Sequence, residues 1–166
     1  MARVWGVLVL GWVLGAGGVL VSEPLPDGGI TLNEMAKILS DKGYKAEIKV
    51  AKDDKDETRI VSAAEGHVFV IYFYGFSDDG RAKNIQYCIS FNPISSITVE
   101  RSVEWNRHFR FARMYLNDSN TSYWEMDRDL EHGATTEAID NDLERWFSVI
   151  HSIDKFISDK DDKSKV

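Results

Sequence analysis

Hydrophobic and polar positions change period several times along this chain, and each change marks an element. After an apolar N-terminal run, Met35, Ile38 and Leu39 fall on one helical face behind the tetrad Thr31-Leu32-Asn33-Glu34. In that tetrad the Thr hydroxyl and the Glu carboxylate can each satisfy an orphan amide, so a capping box opens a first helix. The spacing predicts that helix over 32–42, with Gly43 as its stop. The period then drops to two. Positions 44–50 alternate Ala46, Ile48 and Val50 against Glu47 and Lys49, and a charged turn at 52–57 leads to a second strand at 58–64. The stretch 67–76 (HVFVIYFYGF) is apolar on both faces, which predicts a central strand covered twice. A hairpin turn at 77–80 follows. Positions 84–91 then set Ile85, Tyr87, Ile89 and Phe91 against Gln86, Cys88 and Ser90, until Asn92-Pro93 ends the strand.

Helical spacing returns at 98–109, with Val99 and Val103 expected to face inward. Positions 111–116 and 123–130 make a last hairpin around the polar turn 117–122. In its second strand Trp124, Met126, Arg128 and Leu130 share one face, and Tyr123, Glu125, Asp127 and Asp129 the other. A third helix starts near Thr135 or Thr136, where Glu137 complements the helix dipole. Ile139, Leu143, Trp146, Ile150, Ile153 and Ile157 recur on it at spacings of three and four, widened by Phe147 and Phe156. The charged tail 158–166 is expected to be disordered. The order α-ββββ-α-ββ-α predicts an α+β fold, an antiparallel sheet with helices packed on it, as one domain over 30–157.

The N-terminus changes the picture of where the protein works. Arg3, an apolar run at 4–14 and the small residues 15–18 have the layout of a secretory signal peptide, cleaved after Gly18 or after Ser22. That predicts a periplasmic or secreted protein, with 19–29 as a linker. The competing reading is an uncleaved anchor, the one route by which this chain would meet a membrane. The formal net charge of −7 argues against a nucleic-acid partner and against anionic membrane surfaces. The single cysteine, Cys88, excludes an intrachain disulfide and is expected to be a buried, inert thiol.

Candidate chemistry is sparse. His67, His108, His132 and His151 have no metal-ligand spacing, and the acidic turn at 53–57 lacks the register of a calcium loop. No Gly-x-Ser-x-Gly elbow is present. Neither metal nor cofactor is expected, and the chain reads as non-enzymatic. Glu125, Asp127 and Asp129 could supply an acid and a base, but their pattern is that of an acidic, solvent-facing strand edge. Asn117 and Asn120 match the glycosylation acceptor pattern and read as turn residues. Two groups could meet a partner. Tyr72, Tyr74 and Phe76 share one face of the central strand. Arg107, Arg110 and Arg113 surround Phe109 and Phe111, and salt bridges to the acidic hairpin and to Glu104 are the other use for them.

These residues also carry a resemblance. Ile71-Tyr72-Phe73-Tyr74-Gly75, Trp105-Asn106-Arg107, Arg110-Phe111-Ala112-Arg113, Tyr115-Leu116, Glu125-Met126-Asp127 and the closing helix of Trp146 together resemble the YbjN-domain family of bacterial proteins, over about 30–157. The resemblance implies a regulator of sensory transduction with a fold like that of type III secretion chaperones, and it brings no catalytic residues. The expected function is therefore that of an exported, non-enzymatic protein in envelope, stress or sensory regulation. Its partner would be a protein or peptide of unknown identity, or a second copy in a homodimer. The alternative is a small-ligand-binding protein, or a cryptic hydrolase using Glu125 or Asp127.

Overall fold

The computed structural model describes residues 24–25, 29–52 and 57–159. The expected signal peptide, the acidic turn at 53–56, part of the linker and the tail from 160 lie outside the described residues. The elements are α1 (Leu32–Asp41), β1 (Glu47–Lys49), β2 (Arg59–Ala64), β3 (His67–Phe76), β4 (Ala82–Phe91), α2 (Val99–His108), β5 (Arg113–Leu116), β6 (Ser122–Asp129) and α3 (Thr136–Ser158). This is the α+β order that the periodicity predicts. The strands form one antiparallel sheet in the order β1-β2-β3-β4-β6-β5. The last hairpin inserts so that β6, not β5, pairs with β4, placing Cys88 opposite Glu125 and Ile89 opposite Trp124.

The core lies on one side of the sheet. Ile60, Phe69, Ile71, Phe73, Ile85, Tyr87, Ile89, Trp124 and Met126 point into it and are buried. Above them α3 lays down the predicted stripe, buried at Ile139, Leu143, Trp146, Ile150 and Ile153 and extended by Val149 and Phe156. Rings join the layers: Trp146 meets Phe69 and Tyr87, and Trp105 of α2 meets Trp124 of β6. α1 buries Met35 and Leu39 in the same layer and is tied to α3 by Tyr44 against Phe147 and by Lys42 to Asp140.

Local chemistry sets each helix. Thr31 and Glu34 close the predicted capping box on α1, with bonds of 2.9 and 3.2 Å. Thr98 and Thr135 cap α2 and α3. The Arg81 guanidinium grips both carboxylate oxygens of Glu34 at 2.9 Å and donates to the Gly29 carbonyl, fastening the start of α1 to the β3–β4 turn. Ile30 bridges to Ala82, extending the sheet beside β4. Within the expected linker, Leu25 is buried and donates to Ala134 at 2.7 Å.

Three local expectations are corrected. β3 is central but not covered twice. Val68, Tyr74 and Phe76 are exposed on the side away from the helices, while Phe69, Ile71 and Phe73 are buried. The period-two signal was hidden because both of its sets are apolar; a tyrosine can leave its ring against the sheet and its hydroxyl in water. Val99 and Val103 of α2 face solvent, because Trp105 and Ser102 take the inward side. Burying an indole removes far more apolar surface than burying a valine, so the tryptophan decides the rotation of a short helix. Finally, β1 keeps only three residues, and Ile48 and Val50 are exposed.

Candidate functional site

The side of the sheet away from the helices is covered by no described element, and the strand register dictates what stands there. One row crosses the sheet as Val61, Val70, Cys88, Glu125 and Arg113, and the next as Arg59, Tyr72, Gln86 and Asp127. Tyr72 and Tyr74 on β3 stack with centroids 6.3 Å apart. Tyr115 of β5 and Tyr123 of β6 stack at 5.2 Å, nearly parallel. β4 runs between these pairs with smaller side chains, Cys88 and Gln86. The two tyrosine-bearing strands β3 and β6 therefore stand two strand spacings apart, about 10 Å. The result is a depression of about 380 Å³, walled by the tyrosines, floored by Cys88 and Gln86, and bordered by Glu57 and Glu125.

Glu125 holds this face together. Its Oε2 accepts two bonds from Arg113, at 2.9 and 2.7 Å, and its Oε1 accepts the Tyr115 hydroxyl at 2.8 Å. Asp127 accepts from Gln86 at 2.8 Å and lies 3.5 Å from Arg113. The expectation of an acidic, solvent-facing edge is corrected here. β6 is interior, and Glu125 is only 8 % exposed. It is buried because β5, not β6, closes the sheet and brings Arg113 and Tyr115 over it. Both of its oxygens are already engaged, which is the pattern of a structural carboxylate rather than a free general base.

Burial and neighbouring carboxylates keep the site's tyrosine hydroxyls and its thiol protonated. Burial, and then Glu57, pushes the Tyr74 hydroxyl up to about 12. Tyr72 is raised by burial, and Tyr115 by burial and by its bond to Glu125. Cys88 is raised to about 12, mainly by burial, and a thiol at that value is a poor nucleophile.

The three candidate arginines have different surroundings. Arg107 is exposed on α2. The Arg110 guanidinium lies 5.3 Å from the Phe111 ring, with that of Arg145 5.6 Å from the same ring. Arg113 is on the open sheet face, bound to Glu125. It is Arg101, not one of these, that pairs with Glu104. Of the three candidate aromatics, Tyr72 and Tyr74 line the depression and Phe76 is exposed farther along β3. Tyr115, Tyr123 and Glu125 complete the site. Their alternation was legible, but the β4–β6 pairing that brings them beside Tyr72 was not. Among the described residues no group of three His, Cys, Asp or Glu side chains is arranged to hold a metal.

Asn106 and Trp105 position the edge of this face. The Trp105 indole donates to the Ala112 carbonyl at 2.9 Å. The Asn106 amide donates to the Met114 carbonyl at 2.9 Å and accepts the Met114 N–H at 2.8 Å. One side-chain amide thus pairs with β5 as a neighbouring strand would.

No curated protein and no solved structure matches this chain. One family model does, the YbjN family, described as "Putative bacterial sensory transduction regulator", over residues 31–158. That match spans the capping box of α1, all six strands and the whole of α3, and on it the chain belongs to the YbjN family.

Proposed function

We propose that this protein is an exported, non-catalytic regulatory module that binds a protein or peptide partner on the open face of its sheet. The observation that carries the reading is the tyrosine-walled depression on a sheet face that no described element covers. Aromatic side chains that are partly exposed and held rigid by stacking are the residues that interfaces use as anchors. Membership in a family of sensory transduction regulators agrees with a binding role. The non-catalytic part rests on the state of the reactive groups: Cys88 is kept protonated, and Glu125 is saturated by Arg113 and Tyr115. Export rests on the signal-like sequence at 1–18.

The test is photocrosslinking in the producing bacterium, with the probe at Tyr74 or, as a control, at exposed Glu144 on α3. A defined product from position 74 alone is expected. The captured protein, once purified, should bind the wild type and lose binding to Tyr74→Ala. Equal products from both positions, or none, would overturn the reading. Fractionation should recover the chain outside the cytoplasm and shortened at its N-terminus.

A further inference from the structure

Resting on the docking reading above, we propose that the partner presents a basic extended segment, with a lysine or arginine side chain inserted between the two tyrosine pairs. The depression supplies two attractions for such a cation. Tyrosine ring faces carry the negative lobe of the aromatic quadrupole, and the charged side chains lining the depression are the carboxylates Glu57 and Glu125, with no lysine or arginine among them. Arg113 neutralises Glu125 from outside the lining, and Arg59 lies beside Tyr72. Among the described strand residues of the wider face, Glu47, Asp127 and Asp129 add acid and Lys49 adds base, so carboxylates outnumber cations there.

The shape suits an inserted side chain better than a buried apolar one. Walls about 10 Å apart at the backbone leave a slot one side chain wide once the rings are in place. The floor offers the Gln86 amide and the Cys88 thiol rather than a greasy pocket. An anionic segment would meet Glu57 and the neutral hydroxyls of Tyr72 and Tyr74 with no cation in the lining to receive it. The acidic chain as a whole, at −7, steers basic segments toward this face and repels acidic ones.

Three probes decide the matter: an acetylated peptide alternating lysine and valine, the same peptide with glutamate for lysine, and tetramethylammonium as a free cation. Each is titrated against the purified chain, with labelled-peptide anisotropy as the readout. The lysine peptide is expected to bind and the glutamate peptide not. Tyr74→Ala should weaken the lysine peptide about tenfold, the size of a partly desolvated cation–π contact. Glu57→Gln should weaken it several-fold, and added salt should do the same. Equal binding of the two peptides, or full displacement by tetramethylammonium at concentrations equal to the peptide's, overturns the proposal. If neither peptide binds while the position-74 crosslink to a partner persists, the basic-segment proposal fails and the docking reading stands. If the crosslink is absent too, both fail.

Discussion

Gly29 makes the sharpest energetic demand in the fold. Its φ is +105°, and a Cβ built there would lie 1.8 Å from the Ala82 carbonyl oxygen and 2.8 Å from its carbon. Both obstructing atoms are backbone, so no side-chain rotation relieves the clash. Gly29→Ala must therefore push the segment off β4. The exchange between Ile30 and Ala82, two backbone bonds at 3.2 and 2.9 Å, would be lost, at about 1 kcal/mol each. The positive φ adds about 1–2 kcal/mol for a residue with a Cβ. The sum is about 3–4 kcal/mol, and more if Ile30, fully buried, leaves its pocket. For a domain of this size each kcal/mol is worth roughly 3–5 °C, so differential scanning calorimetry should show Tm falling by about 10–20 °C. Gly43→Ala is the control. Gly43 has φ +84° but a Cβ there meets nothing within 4 Å, so it reports the backbone strain alone, about 3–10 °C. A Gly29→Ala melt no lower than that of Gly43→Ala would refute the steric reasoning.

Other predictions follow from single contacts. The Tyr87 hydroxyl is fully buried and has no hydrogen-bond partner among the described residues, so Tyr87→Phe should leave stability unchanged or raise it by about 1 kcal/mol in urea titrations; a loss of that size would show that the hydroxyl has a partner. Asn106→Leu removes both bonds to Met114 and should cost about 1–3 kcal/mol while promoting association through β5, read by urea midpoint and light scattering together. Stability should also fall at alkaline pH. Cys88 is raised from 9.0 to about 12 and Tyr74 from 10.0 to about 12, so above pH 9 the unfolded chain releases protons that the fold retains. That contribution is complete below pH 9 and disappears as pH rises toward 12; a urea midpoint that holds steady between pH 8 and pH 11 would contradict it.

Much of this fold was legible because the signals were local. Thr31 with Glu34, the three-and-four spacing from Ile139 to Ile153, and the alternation around Ile85 each depend on neighbours a few residues away. What was misread depends on partners far along the chain. Nothing local shows that β6 inserts beside β4, and that pairing is what turns Glu125 from an edge carboxylate into a buried one. The same distance hid half of the candidate site: Tyr72 and Tyr74 were visible on one strand, whereas Tyr115 and Tyr123 join them only through the sheet order. The α2 face was misread for another reason. Val99 and Val103 satisfied the helical spacing, but one indole outweighed two valines.

The buried tryptophans make the molecule its own optical reporter. Trp105, Trp124 and Trp146 are fully shielded, and the other two, Trp5 and Trp12, belong to the signal-like segment. A chain shortened after residue 18 emits from shielded indoles alone, so its fluorescence should be blue-shifted and resistant to quenching by acrylamide. The Trp105 and Trp124 rings, 5.7 Å apart and nearly perpendicular, are also close enough for their electronic transitions to couple. Loss of that coupling in circular dichroism would mark the moment when α2 and the last hairpin separate, a signal the native sequence provides without a label.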